Sequence, residues 1–315
     1  MDLKKLFERF PRIEALVRNL FWRVSLLHRV TSGVKKGLNA SSAEGIFSSD
    51  ELVEVLRRMG ITEDDVIVVH SSMSHLAKSG LTANGVIELL TRRLCPIGTL
   101  VCPTFPLYRD EPQGTERLTK DMSNVEFVYN VQKTRPWTGE LGRMLMRVPG
   151  ARRSLHPLNT VTVYGTAVDQ IFAKESMNSL DLPCGPSSTW AALAELNAKI
   201  IMLGVDLTHS LTMIHVAEDC YEAEWPVKDW YRNRVFRVVD HDKEYAVKVR
   251  ERHPKWALSY AERKLSNDLY SNGIAKRFQI GSLGVTLLES SALIDFLNSR
   301  KKLAYPYYLT WLSRL

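Results

Sequence analysis

The sequence predicts an α/β fold: a mixed, largely parallel central sheet flanked by helices, with an N-terminal amphipathic helical arm and a smaller C-terminal α+β part. Two observations lead there. Apolar, β-branched runs without polar alternation, VIVVH (66–70), TLVCP (99–103) and KIIMLGV (199–205), read as strands buried on both faces. Capped helical periods lie between such runs, and the order helix, strand, Ser/Gly turn, helix, strand makes a βαβ unit.

Each element has a local reason. Leu3, Leu6, Phe10, Ile13, Val17, Leu20, Val24 and Leu27 step 3-4-3-4, a heptad seam that Pro11 should kink or restart. Residues 31–49 are rich in Ser and Gly and read as a linker. Ser49 or Asp50 can cap a helix through ELVEVLRRMG that stops at Gly60. The turn SSMSHLAKSG (71–80) opens a helix around Gly85–Cys95. Residues 106–136 are polar, a long loop of the kind that is functional or disordered. A helix (139–147), the segment PGARRSLHP, the strand TVTVYG (160–165), and helices 188–196 and 211–220 around the strand 199–205 follow. A hairpin (RVFRVVD, YAVKV), a helix near 258–271, a strand near 278–286 and a helix at 288–298 close the body. The expected organisation is an arm and linker (1–46), a catalytic domain (47–300) and an aromatic, basic tail (301–315).

Composition narrows the function. The 315 residues are 45% hydrophobic and 24% charged, enough apolar matter for a core. Of the net charge of +7, residues 1–36 hold nine Lys/Arg against three acids, so the body is nearly neutral. A nucleic-acid binder would need a basic face over the fold, and none is legible. Cys95, Cys102, Cys184 and Cys220 lack C-x-x-C spacing and read as buried thiols of a cytoplasmic protein. The P-loop, G-x-G-x-x-G and G-x-S-x-G motifs are missing, and the histidine spacings do not suggest a metal. The plainest reading of the arm's stripe is docking on the protein's own body. A homo-oligomer through residues 1–30, or peripheral contact with the inner membrane face, are the other two.

Three segments then act together: VIVVHSSMSHLAKSG…VIELL…GTLVCPTF (66–105), LGRMLMRVPGARRSLHPLNTVTVYG (141–165) and IIMLGVDLTHSLTMIHVAE (200–218). In this order and spacing the chain, from about Phe47 to about Asn298, resembles the aminoglycoside 3-N-acetyltransferase family, which uses acetyl-CoA and lies outside the GNAT fold. The resemblance implies a cofactor site at His70, Ser71, Ser72, Met73, Ser74 and Leu76, with Pro103, Thr104 and Phe105 lining the pantetheine channel. A turn at the carboxyl end of a strand presents free amides, and its serines add hydroxyls, which suits such a ligand. His156, read alone, is a surface histidine that caps or packs. The resemblance makes it the general base, in the motif S-x-H-P. Glu218 would orient its imidazole from the run T-x-L-H-x-A-E, where Thr212, His215 and Glu218 stand three apart. Thr212, His215 and Asp219 are the candidates for acceptor or oxyanion contacts.

The expected reaction is direct attack of an amine on the thioester. Because the body is nearly neutral, the expected acceptor is an amino sugar of surface-polysaccharide or related glycan synthesis. The alternatives are an aminoglycoside, as in antibiotic resistance, and a non-catalytic CoA-binding scaffold. Acids that converge in space could still receive a polycation, and Asp219, Glu222 and Glu224 near the active helix are a candidate cluster.

Overall fold

The computed structural model describes residues 3–23, 45–176 and 181–314. Among the described residues, ten strands form two sheets. The larger contains β1 (Val66–Ser71), β2 (Thr99–Pro103), β4 (Arg152–Arg153), β5 (Val161–Gly165), β6 (Lys199–Leu203), β9 (Ala275–Ile280) and β10 (Leu283–Glu289), in the order β4-β5-β2-β1-β6-β10-β9. The smaller contains β3 (Glu126–Asn130), β7 (Tyr231–Asp240) and β8 (Lys243–Arg252).

The large sheet is mixed and flanked by helices, as expected, but its parallel part is only β2-β1-β6. The other neighbours run antiparallel. The reason is connectivity. Parallel neighbours need a crossover, which the helical segment after β1 supplies, whereas β9 returns as β10 through the two residues Gly281 and Ser282. The single strand expected near 278–286 is this hairpin.

Burial explains the apolar runs. Val68, Val101, Ile200 and Met202 face a core shared with the helices Thr189–Glu195, Glu262–Ser271 and Ser290–Asn298. Ile67, Val69, Leu100, Ile201 and Leu203 face the other core, under the helices Ser49–Arg58, Ala83–Glu88 and Glu140–Leu145. The helix Ser49–Arg58 starts one residue before the sequence suggests. Ser48 caps it, accepting from the Glu51 amide while Glu51 accepts from the Ser48 amide, a reciprocal capping box.

Three expectations are corrected. EFVYN, read as loop, is β3, which pairs parallel to β7 and buries Phe127 and Tyr129. The helix expected at 211–220 is two short helices, Leu207–Ser210 and Ile214–Asp219. The arm is two helices, Leu3–Arg9 and Pro11–Arg23, broken at Phe10, with proline in the first position of the second, where a missing amide hydrogen costs nothing. Leu6 and Phe7 are half-buried, Phe7 under Arg263, but from Phe10 to Leu20 the stripe does not dock on the body. Ile13, Val17 and Leu20 are exposed, while Glu14, Ala15 and Asn19 are buried. Val24 and Leu27, and most of the 31–49 linker, lie outside the described residues.

Candidate active site

The carboxyl ends of β1 and β6 lie side by side. The turn after β1 folds under the end of β6: a Cβ at Gly204 (φ +67°) would stand 2.8 Å from the Cβ of His75. The chain then runs through residues 204–213 into the helix Ile214–Asp219, which carries His215 and Glu218 one turn apart on one face.

Glu218 is buried and doubly held. Its Oε2 lies 2.9 Å from Nδ1 of His215, and its Oε1 accepts a 2.6 Å hydrogen bond from the Tyr307 hydroxyl. Arg252, the last residue of β8, donates to the same hydroxyl. Burial alone would push the Glu218 carboxyl up. The His215 and Arg252 charges and the two hydrogen bonds outweigh it and hold the group below the usual carboxylate value. Burial, then the Arg252 charge, pulls His215 below 6.5, with Glu218 opposing. Once His215 has lost its proton, above its lowered pKa, the pair is a neutral imidazole beside a carboxylate that Arg252 and the two hydrogen bonds still favour in its ionised form. The shared hydrogen sits on Nδ1, and Nε2 keeps a free lone pair.

Asp219 is the next residue. Its Oδ1 accepts from the Tyr231 hydroxyl at 2.9 Å and its Oδ2 from the Cys184 amide at 3.1 Å. Burial, then the Glu218 charge, raises its carboxyl to about 7. Tyr231 and Arg252 share one rung of the β7–β8 ladder, so the second sheet presents Tyr231 to Asp219 and, through Tyr307, Arg252 to Glu218.

His215, Glu218, Asp219 and Arg252 line a cavity of about 330 Å³, together with Leu158, Asn159, Arg117, Glu251 and, from the arm, Arg18 and Trp22. That size suits the reacting ends of two small molecules. Glu222 and Glu224 are not an acidic wall of it, because Arg250 and Lys301 pair with them.

His156 occupies a different place. Its Nδ1 is turned back on its own loop, within 3.1 Å of the Leu158 carbonyl and 3.2 Å of the Leu158 amide. Its backbone amide and that of Leu155 donate to Glu175. The loop is pinned by Tyr129 on the Ser154 carbonyl and Tyr108 on the Pro157 carbonyl. Leu158 and Asn159 reach the cavity and His156 does not line it. The partners of Glu218 in this structure are His215 and Tyr307. Thr212 precedes the helix and does not line the cavity either.

The residues expected to hold a cofactor divide by burial. His70, Leu76, Pro103 and Thr104 are buried, and the Thr104 hydroxyl lies within reach of those of Thr160 and Thr162. Ser71, Ser72, Met73, Ser74 and Phe105 retain exposure. The Ser72 hydroxyl lies 2.9 Å from that of Ser74 and 2.8 Å from Nδ1 of His75.

The network's other half went unread in the sequence. Tyr307 lies in the tail, enclosed by Trp225, Trp230 and Tyr260, with the Trp230 ring 4.8 Å away edge-on. The aromatic richness of LAYPYYLTWLSRL was the only signal of a packed role. Nothing local marks Arg252.

The family model described as aminoglycoside 3-N-acetyltransferase matches residues 68–301. The chain belongs to that family. Aminoglycoside N(3)-acetyltransferase IV of Salmonella sp is 31% identical over 171 residues, 53% of this chain and 57% of that protein. Aminoglycoside N(3)-acetyltransferase VII of Streptomyces paromomycinus is 25% identical over 277 residues, 81% of this chain and 91% of that protein. Among solved structures, AAC-IIIb in binary complex with CoASH superposes with a TM-score of 0.66 at 20% identity, covering 84% of this chain and 98% of that one. This likeness is one of fold. The helices Leu3–Arg9 and Pro11–Arg23 and the residues around Tyr307 lie outside the segment that the 3-N-acetyltransferase model matches.

Proposed function

We propose that this protein transfers the acetyl group of acetyl-CoA to an amino group of an aminoglycoside, with His215 as general base. The observation that carries the reading is the chain Arg252–Tyr307–Glu218–His215 ending at a cavity. It supplies a neutral imidazole whose outer nitrogen is free and whose inner nitrogen is held by a buried carboxylate. The names of the two relatives given above, both aminoglycoside N(3)-acetyltransferases, support the acceptor class.

Acetyl-CoA supplies an activated acyl carbon and a thiol leaving group. The exposed side of the turn after β1 fits it: Ser71, Ser72 and Ser74 offer hydroxyls, Met73 and Ser74 offer first-turn amides without intrahelical acceptors, and Phe105 offers an apolar wall. Nε2 of His215 takes the proton that the acceptor nitrogen must lose as it attacks. Glu218 stabilises the resulting imidazolium, and Tyr307 and Arg252 keep Glu218 ionised. The proton on Nε2 is then available to the departing thiolate.

A second reading has one observation in its favour. Arg18, Arg117 and Arg252 stand against Glu218, Glu251 and an Asp219 that is only part-ionised near pH 7, a lining suited to an amino sugar on an acidic carrier rather than a polycation. Thiol release from acetyl-CoA over a panel of both acceptor classes separates the two. Turnover with aminoglycosides that His215→Ala abolishes supports the first reading, whereas turnover confined to carrier-linked amino sugars replaces it with the second. Thiol release unaltered by His215→Ala contradicts both.

A further inference from the structure

The helix Pro11–Arg23 is mounted with its polar side inward. Glu14 is 2% exposed, held by Arg18 at 3.2 Å and Arg263 at 2.7 Å. Asn19 is 3% exposed and donates to the Leu258 carbonyl at 2.9 Å. Arg18 bridges on to Glu262 at 2.8 Å. These bonds fix the helix's rotation, so its apolar stripe faces out: Phe10, Ile13, Leu16, Val17 and Leu20 are between 39% and 53% exposed. Positions 13, 16, 17 and 20 make one continuous ridge at helical spacing. A contiguous apolar ridge on a folded surface marks an interaction site.

The surrounding charge selects the occupant. Lys5, Arg9 and Arg12 are exposed, and Glu8, half-buried, stands among them in the sequence. Two copies meeting through this ridge about a two-fold axis would bring two such cationic sets onto one rim. An anionic surface complements them instead. The segment 254–259, which supports the helix, also carries the tail, where Ser313 reaches Ser259 at 2.6 Å and Trp311 stays 59% exposed. Tryptophan is at home between headgroups and acyl chains. None of the described helices is long and apolar enough to cross a membrane.

We propose that the helices Leu3–Arg9 and Pro11–Arg23 lie in the plane of an anionic lipid surface, the ridge sunk among the acyl chains and Lys5, Arg9 and Arg12 among the headgroups. Arg18 and Trp22, on the inner side of the same helix, line the catalytic cavity. Docking therefore sets the cavity close to the lipid.

Sedimentation of the full chain with vesicles of phosphatidylcholine, with or without phosphatidylglycerol, tests this. Each cation near an anionic leaflet is worth roughly fivefold in partitioning, so three favour phosphatidylglycerol vesicles on the order of a hundredfold. High salt should erode that preference. Val17→Glu/Leu20→Glu should weaken pelleting about tenfold or more, and Arg9→Glu/Arg12→Glu should abolish the preference for phosphatidylglycerol. Both variants change exposed positions away from the cavity, so thiol release with a soluble acceptor should persist and report an intact fold. Failure of the wild-type chain to pellet with phosphatidylglycerol vesicles overturns the proposal, as does equal pelleting by Val17→Glu/Leu20→Glu. A dimer that this variant splits, without vesicle binding by the wild type, assigns the ridge to a second copy and equally overturns it.

Discussion

Replacing Tyr307 with phenylalanine removes one oxygen and leaves the aromatic enclosure intact. Glu218 loses its 2.6 Å hydroxyl donor, and Arg252 loses its acceptor. A hydrogen bond to a buried charge contributes about 1.5–3 kcal/mol, so the variant should unfold in urea with that much less stability at pH 7.5. The sign with pH follows from Glu218. Its folded carboxyl lies below the unfolded value of 4.5, so its contribution is fully present above that pH and is lost as pH falls through the folded value. The hydroxyl supplies part of that depression. The stability gap between variant and wild type should be full at pH 7.5 and shrink below pH 4.5. Catalysis should fall about tenfold in kcat, because the carboxylate that fixes the imidazole is itself less fixed, while the acceptor's KM stays nearly constant. Thiol release and urea melts at the two pH values read both effects. A variant with wild-type kcat and an unchanged urea midpoint refutes the role given to this hydroxyl.

In the wild type, kcat/KM should rise with pH along a limb below 6.5 as His215 loses its proton, then level, since burial and Arg252 pull this imidazole down. Glu218→Gln removes the charge that opposes that pull, so a pH–rate profile should show the limb moving to lower pH with a plateau about a hundredfold lower. Trp190, fully buried and donating to the Asn159 carbonyl at 2.6 Å, should cost about 3–5 kcal/mol in denaturant titration when replaced by alanine. Ser48→Ala opens the capping box of the helix Ser49–Arg58 and should cost about 1 kcal/mol by the same method, with activity unchanged.

What could be read in the sequence was what local pattern determines. The strands at 66, 99 and 199 are apolar on both faces because both faces are covered, and that leaves an unbroken run in the chain. Pro11 announced the break in the arm because its ring constrains the backbone wherever the chain goes. Strand direction was harder. β5 looks like any buried strand, and its antiparallel pairing with β2 depends on the excursion through residues 104–160. β3 is five residues of modest alternation inside a polar stretch, recognisable only beside β7. At the site, the spacing of His215 and Glu218 was visible as a shared helix face. The role of base went to His156 through the resemblance of its S-x-H-P motif, whereas in the fold its Nδ1 lies against the backbone of Leu158. The direction of the arm's stripe was illegible for a related reason: Glu14 and Asn19 look like solvent residues until Arg263 and the Leu258 carbonyl meet them.

The most direct test compares His215→Ala with His156→Ala in one thiol-release assay, using acetyl-CoA and a reactive amine. Loss of general-base help should lower kcat by about 10²- to 10⁴-fold for His215→Ala and flatten its limb below pH 6.5. His156→Ala should keep that limb and most of its turnover. Full activity in His215→Ala, with loss of turnover in His156→Ala, would contradict the assignment of the base.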